Sequence, residues 1–332
     1  MPLHDINYKH WQGEHLSVWG RRWVIARNGL VASLQMRFMT NVVILCWGLG
    51  LASAMFLFLI GQLLVADSVV VKWASTFNPN LQMFATLLTA WLHDNPDISV
   101  GTTQNVVFYF VCIWIMRISI FALGPVIPHL ITRDLACNAI IIYSSKAVTR
   151  GDYLFGKFAT AFGFLALTWL GPVCAGWFLG NLLAPDWRFF WHARGALGNI
   201  LICGLSSMTF LSVLALGVSA LSTKEKATTA IWFGWWILGA ALMPIALRSA
   251  PWMRHLGFGF NLNQIALHTF RVGEKITDAM NAIPILGQML QEGRRANALR
   301  AFATPQIGGT LFALLLMVGL AIWVVNKRVK PE

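Results

Sequence analysis

The chain has 332 residues, of which 57% are hydrophobic and only 11% are charged, and its formal net charge is +12. So small a charged fraction excludes a water-soluble globular protein of this size, because soluble domains have about a quarter of their residues charged. The Lys and Arg residues lie mainly at the ends of apolar runs, not together on one solvent-facing element. This distribution excludes a nucleic-acid-binding protein and predicts an integral membrane protein.

The N-terminal segment, 1–38, is predicted to be cytoplasmic. Within it, Gly20–Arg37 places Trp23, Ala26 and Leu30 at helical spacing, with polar residues mostly elsewhere around the helix. This pattern is typical of an amphipathic helix that lies along a membrane surface. The segment has no short apolar core followed by a small-residue cleavage site, so we expect no cleaved signal peptide.

Six apolar runs follow, and each approaches the about 20 residues that cross the hydrocarbon core of a bilayer. They are Met39–Val65, Val106–Leu130, Phe158–Leu183, Ala196–Leu221, Ala230–Leu247 and Gly309–Val325. We therefore predict an all-α polytopic membrane protein with six transmembrane helices. The six spans form one transmembrane domain at 39–325, which is followed by a basic tail at 326–332.

The distribution of basic residues predicts that both termini are cytoplasmic. With the inner loop at 131–157 and outer loops at 67–103 and 251–307, inner segments hold 14 Lys and Arg residues and outer segments hold 10. Seven of those 10 lie in the long outer loop between spans 5 and 6, where the positive-inside rule has less force. The same loop contains Ile283–Leu290, which is apolar but too short to span and predicts a re-entrant or surface-lying helix.

The polar segment Tyr143–Lys157 separates two of the long apolar runs, and a soluble partner could contact both helices through it. Part of the segment, Gly151–Lys157, has the GxxxxGK spacing of a phosphate-binding loop, but Phe158 stands where that loop needs Ser or Thr. The chain also has no soluble segment long enough for a nucleotide-binding domain. We therefore expect this chain to bind no cofactor; any ATP and Mg²⁺ would be bound by another polypeptide.

The same segment resembles the cytoplasmic loop of ABC-2 type permeases, the membrane subunits of one class of ATP-binding cassette transporter. The identical positions are Tyr143, Ser145, Arg150, Asp152, Tyr153, Leu154, Gly156 and Lys157, and the close replacements are Lys146, Val148, Thr149 and Phe155. Asp134 falls where the family carries an acidic residue, and Arg21–Arg27 is similar to the interfacial helix that opens these permeases. Ala147 and Gly151 depart from the family's Pro and bulky residue.

The resemblance implies a permease subunit of an ABC transporter, most simply an exporter, located in the cytoplasmic membrane. It implies an ATP-binding partner subunit and a second permease copy or paralogue, with no catalytic residue on this chain. It also implies that one set of residues couples the permease to the ATPase: Asp134, Ser145, Thr149, Arg150, Asp152, Tyr153 and Lys157.

A coupling role also follows from the chemistry of the segment, because a helix outside the membrane with charged and aromatic contacts can transmit motion from a docked domain. Two alternatives remain open. The basic residues could be juxtamembrane anchors whose partners are lipid headgroups. The chain could instead be a non-transporting scaffold or assembly factor that docks a soluble partner through 131–157; the loop at Thr223–Lys226 offers a second, smaller contact in either case.

Arg117 lies near the middle of the second apolar run, where insertion scales assign a cost of about 2.5–3.5 kcal/mol to arginine. We expect it to face protein or water. It could be a counter-ion for an anionic substrate in a transport pathway, or it could cap carbonyls that are freed by Pro125 or by polar neighbours such as Ser206, Ser207 and Thr209. None of the six runs contains Asp or Glu, which excludes a carrier driven by protons or sodium through an intramembrane carboxylate.

Two further patterns concern packing. Gly176 and Gly180 form a GxxxG motif, which favours close approach of another helix. The aromatic residues between the third and fourth runs predict an outer interfacial belt; they are Trp187, Phe189, Phe190 and Trp191.

The five cysteines form no CxxC pair, and no histidine lies at ligand spacing from any of them, so we predict no metal site.

Overall fold

The computed structural model describes residues 17–63, 72–73, 76, 79–94, 96–139, 148–184, 187–239, 250–282 and 305–329, and all regular structure in these ranges is helical. The α-helices are α1 (Val18–Leu34), α2 (Arg37–Gln62), α3 (Pro79–Asp94), α4 (Pro96–Val126), α5 (Thr132–Ala136), α6 (Arg150–Leu165), α7 (Gly171–Leu182), α8 (Trp187–Leu221), α9 (Glu225–Ile237), α10 (Phe258–Phe270), α11 (Val272–Ala282) and α12 (Ile307–Arg328). A π-helical turn, Ala166–Leu170, joins α6 to α7, and 3-10 turns occupy Ile127–His129 and Pro251–Leu256. The predicted all-α class is confirmed.

Five helical segments in these ranges are long and apolar enough to cross a membrane, which makes the chain a membrane protein. They are Arg37–Gln62, Ile98–Ala136, Arg150–Leu182, Phe189–Leu221 and Ile307–Arg328. They correspond to predicted spans 1, 2, 3, 4 and 6. The predicted fifth span, Ala230–Leu247, is helical as far as Gly239, and its remainder lies outside the described residues.

α8 and α12 run in the same direction. Gly217 of α8 lies against Ala321 of α12, and one turn further along, Leu221 lines the same groove as Lys327. Both helices therefore finish at the same end of the bundle. α12 begins toward the opposite end of the bundle, and the fifth span predicted between these two helices in the sequence stays a prediction.

α4 also runs parallel to α8. Asn199 donates to Asn105 near the start of the pair, and the backbone N–H of Ile131 donates to Ser219 near its end. α4, α8 and α12 thus finish together, at the end where α6 and α9 begin. We call this end the basic end, after the charged residues that gather there: Arg22, Arg133, Arg150, Lys157, Lys224 and Lys327.

The centre of the bundle is formed by α4 and α8. In the apolar window of α8, 67% of residues are buried, against 28% for α12 and 33% for α2. The large side chains of the core come from these central helices and their neighbours, and they include Phe108, Phe164, Trp169 and Trp232. α2 and α12 therefore lie at the periphery, with most of their apolar surface directed outward.

α2 packs directly on α7 through glycines. A Cβ atom at Gly176 would overlap the carbonyl oxygen of Gly50 and the hydroxyl of Ser53, and one at Gly180 would overlap Leu57. The backbones approach this closely because neither glycine has a side chain. The close approach predicted from the GxxxG motif is confirmed, and its partner is the first span.

Two of the helices start earlier than the apolar runs that predicted them. α4 begins at Pro96, within the predicted outer loop 67–103, and α8 begins at Trp187, before the apolar run Ala196–Leu221. Both helices start in polar sequence that hydropathy does not detect. Amide side chains near these starts pair across helices: Asn199 of α8 donates to Asn105 of α4 at 2.7 Å, and the buried Gln104 of α4 donates to Asn181 of α7 at 2.6 Å.

The 250–282 segment returns into the bundle beside the end of α9. Gly257 approaches Gly239 so closely that a Cβ atom on either would contact the other's backbone. Phe258 then stacks on Trp232 with ring centroids 5.0 Å apart and begins α10, which runs toward the other end of the bundle, where Asn263 accepts from Tyr109. The predicted apolar piece at Ile283–Leu290 lies outside the described residues.

Candidate functional site at the basic end

The first turn of α6 is held by a capping box. The Thr149 hydroxyl accepts from the backbone N–H of Asp152 at 3.2 Å, and the Asp152 carboxylate accepts from the backbone N–H of Thr149 at 3.4 Å and from its hydroxyl at 2.8 Å. These bonds satisfy helix N-terminal donors that would otherwise have no partner. The same carboxylate, almost fully buried, accepts from Nε of Arg22 at 2.6 Å. Asp152 therefore fastens α1 to the start of α6.

α1 follows α6 along its length, in parallel. Gly156 leaves room for Ile25, and Thr160 donates to the carbonyl of Ala26 at 3.4 Å. α1 also has an aromatic face on which Trp19 and Trp23 are each more than 60% exposed. Such a face suits a membrane interface, and the interfacial location of this helix stays a prediction.

Asp134 is bound by two residues of α6. Its carboxylate accepts from the Tyr153 hydroxyl at 2.6 Å and forms an ion pair with Lys157 at 2.7 Å. Lys157 also donates to the carbonyl of His129 at 3.2 Å. Tyr153 is 3% exposed, and the charged pair is largely shielded from solvent. Removing one member of a buried pair leaves the other charge uncompensated, so we expect the contact to be a rigid one.

Arg150 connects the start of α6 to the end of α12. Its guanidinium donates to the side-chain oxygen of Asn326 at 3.0 Å, to the carbonyl of the same residue at 3.2 Å and to that of Val325 at 3.4 Å. The last carbonyls of a helix have no partner within the helix, and a cation there is favoured by the helix dipole. Arg150 therefore caps the C-terminus of α12.

A serine hydroxyl closes the sharp turn at the end of α4. Ser219 accepts from the backbone N–H groups of Ile131 and Thr132 at 2.8 and 3.0 Å and donates to the carbonyl of Ile127 at 2.7 Å. Thr132 in turn bonds the Ser219 carbonyl and the Thr228 hydroxyl. All of the side chains in this network are buried, so α4, α8 and α9 meet there without water.

An exposed ion pair lies beside this network. Nε of Arg133 donates to Glu225 at 2.6 Å, and each side chain is about half exposed, at 53% and 48%. The hydrogen bond from Arg133 lowers the pKa of Glu225. At this exposure the pair contributes little to stability, and its charges are available to another molecule.

The structure thus brings together six of the seven residues assigned to coupling; Ser145 lies outside the described residues. We call the set the basic-end cluster, and it comprises Arg22, Asp134, Thr149, Arg150, Asp152, Tyr153, Lys157 and Asn326. Sequence reasoning missed Arg22 and Asn326 as members. Arg22 lies in the N-terminal segment already compared with the family, but no motif marks Asn326.

Arg117, the candidate pathway residue, lies on an exposed face of α4. Phe110, Trp114 and Phe121 share that face and are each more than 40% exposed. Among the described residues, the guanidinium lies over the Trp114 ring, 5.4 Å from its centroid. A cation–π contact at an exposed position contributes about 0.5–1 kcal/mol, which is less than the cost of about 2.5–3.5 kcal/mol for arginine at the centre of a span.

The carbonyl-capping alternative finds no support among the contacts of the described residues. Pro125 has no N–H to bond the carbonyl of Phe121, one helical turn earlier, and Ser206 and Thr209 bond carbonyls of their own helix. None of these bonds involves Arg117.

No known protein-family model matches the chain, and no curated protein shows significant similarity to it.

Proposed function

We propose that this chain is the permease subunit of an ABC exporter and that an ATP-binding subunit docks at the basic end. The observation that supports the proposal is the basic-end cluster, in which one helix start is bonded to three other elements. On this proposal the chain lies in the cytoplasmic membrane, its basic end faces the cytoplasm, and both termini are on the cytoplasmic side. A second permease copy or paralogue completes the transporter.

The bonds of the cluster give α6 the contacts that a coupling element needs. Asp152 holds α1, Tyr153 and Lys157 hold the segment after α4, and Arg150 holds the end of α12. The bonds of Asp152 to α1 and of Asp134 to α6 are 2.6 to 2.7 Å long and largely shielded from water, whereas those of Arg150 are more exposed. A displacement of the start of α6 would therefore move the attached helices with it, as rigid bodies. This chain then needs no catalytic residue, since ATP and Mg²⁺ are bound by the partner.

The cluster divides into residues that transmit force and residues that can contact a partner. Asp152 and Tyr153 are buried, so they act within the chain and do not contact a docked domain. Thr149 and Gly151 are exposed on the same turn, and the exposed Arg133–Glu225 pair lies on the neighbouring loop. These exposed positions form the docking surface that we propose.

The first test is purification of the tagged chain from its native membrane in mild detergent, followed by mass spectrometry and an ATP hydrolysis assay. We expect a stoichiometric ATP-binding subunit and hydrolysis activity. Recovery of the intact membrane complex without any ATPase would overturn the transporter proposal and favour a scaffold.

The docking surface is tested by Gly151→Arg. A side chain at Gly151 meets nothing closer than Thr149 Oγ1 at 3.8 Å, so the variant should fold normally. Burying an unpaired arginine under a docked partner should lower co-purification of the partner by about tenfold or more. The matched control is Gly308→Arg, also at the second position of a helix with open space around it but at the opposite end of the bundle. Equal partner recovery from both variants would place the docking surface elsewhere.

A further inference from the structure

The exposed face around Arg117 is the strongest feature that the basic-end cluster does not use. Arg117 lies nine residues before Val126, the last residue of α4, which places it about 14 Å from the basic end of that helix. The hydrocarbon core of a bilayer is about 30 Å thick. The guanidinium therefore lies near the middle of the membrane.

Aromatic residues of neighbouring helices lie at one end of this face. One turn toward the basic end, Phe121 contacts Phe38 of α2 and Phe233 and Trp236 of α9, with ring centroids 5.2 to 6.3 Å apart. Trp114 lies on the other side of Arg117 and is 59% exposed. Arg117 is thus a cation on an otherwise apolar and aromatic face of α4.

The described residues provide no anion for this cation. The recorded ion pairs all join other residues, and none involves Arg117. A second copy of the chain could cover the face but could not neutralise it from within the membrane, because the six apolar runs contain no Asp or Glu. Charge complementarity therefore favours an anionic ligand over a protein partner at this position.

We propose that Arg117 and the aromatic side chains beside it bind an anionic amphiphile, with its charged headgroup at the guanidinium and its hydrocarbon chain along Trp114 and Phe121. This proposal rests on the proposed export function and names the substrate class. An anionic headgroup that crosses a bilayer must pass the apolar midplane, and a cation placed there stabilises it at that point. Phosphate and carboxylate headgroups share the required chemistry.

Binding is tested by native mass spectrometry of the purified chain, without any ATPase. The probes are dioleoylphosphatidylglycerol as the phosphate arm, oleate as the carboxylate arm, dioleoylphosphatidylcholine as the zwitterionic control and inorganic phosphate as the anion without a hydrocarbon chain. We expect wild type to bind at least one of the two anionic amphiphiles about tenfold more tightly than Arg117→Gln does, and Arg117→Lys to stay within about threefold of wild type. Preferential binding of dioleoylphosphatidylglycerol would identify a phosphate headgroup, and preferential binding of oleate would identify a carboxylate headgroup.

Arg194 supplies the matched control, because it also lies on an exposed face, with its guanidinium 4.2 Å from the Trp191 ring centroid. Arg194→Gln should bind the anionic amphiphiles as wild type does. Unchanged binding by Arg117→Gln, an equal loss in Arg194→Gln, or equal affinity for the zwitterionic lipid would overturn the proposal. Because no ATPase takes part, failure of binding and absence of an ATP-binding partner are separate results.

Discussion

Ser219 shows how a single short side chain can determine the shape of the basic end. After Val126 the chain leaves the α-helix, passes through a 3-10 turn and begins α5 at Thr132. Such a break inside a packed bundle leaves backbone N–H groups without helical partners, and each unsatisfied group is costly away from water. The Ser219 hydroxyl accepts two of them and donates to a third group, so one oxygen atom accounts for the turn.

Replacing Ser219 with alanine should therefore lower the free energy of unfolding by about 2 kcal/mol or more, since two buried donors lose their acceptor. Thermal unfolding of the purified protein in detergent measures the change. Ser206→Ala is the matched control in the same helix, because that hydroxyl bonds only carbonyls of its own helix, and we expect a change within about 0.5 kcal/mol. Equal losses in the two variants would mean that the turn does not depend on Ser219.

At the level of helices, the pairing of α2 with α7 depends on the absence of side chains. The carbonyl of Gly50 lies where a Cβ atom of Gly176 would stand, and backbone cannot move aside as a flexible side chain can. A Cβ atom at Gly180 would overlap the side chain of Leu57, which can move more easily than backbone, so this position is less restrictive than Gly176. Membrane helices lack a hydrophobic driving force for association, so close packing of this kind supplies much of it.

Gly176→Ala should accordingly destabilise the protein by about 1–3 kcal/mol through overpacking. Gly198→Ala, in α8, meets no atom within 4 Å and should stabilise it by up to about 1 kcal/mol, because alanine favours the helix. Thermal unfolding of both variants gives the comparison, and the opposite signs make it decisive. A stabilised Gly176→Ala would show that α2 and α7 do not meet through these glycines.

Hydropathy and length predict the cores of the spans well, because about 20 apolar residues in sequence are required in any membrane helix. They fail where buried polar side chains satisfy each other, as Gln104 and Asn181 do, since such residues appear exposed in the sequence. The basic-end cluster is also only partly predictable. The segment Tyr143–Lys157 identifies Tyr153 and Lys157 as candidates, but nothing in their spacing shows that both bind Asp134. That contact depends on how two distant turns pack.

For the whole molecule, the decisive question is which side of the membrane the basic end faces. The helix directions place the ends of α4, α8 and α12 together with the starts of α6 and α9, independently of any charge rule. Basic residues near span ends favour the cytoplasmic side. An ATP-binding partner can reach the docking surface only from the cytoplasm. The proposed function therefore requires that the basic end face the cytoplasm.

Cysteine labelling measures this orientation directly. Cys137 is exposed at the basic end, whereas Trp187 is 70% exposed at the start of α8, at the opposite end. In a variant with Cys174→Ser and Trp187→Cys, a membrane-impermeant maleimide should label only the introduced cysteine in intact cells and only Cys137 in inverted membrane vesicles. The remaining native cysteines are buried and should stay unlabelled; they are Cys46, Cys112 and Cys203.

The opposite labelling pattern would place the basic-end cluster outside the cell, where no ATP-binding subunit could dock, and would exclude the exporter proposal. Binding of an anionic amphiphile at Arg117 would still be testable, because a cation near the midplane lies at a similar depth in either orientation, but the ligand would no longer be the substrate of an exporter. Labelling of Cys137 from both sides would instead indicate a mixed population, which the excess of basic residues at one end opposes. The expected pattern would put the exposed turn at Gly151 within reach of a cytoplasmic ATPase.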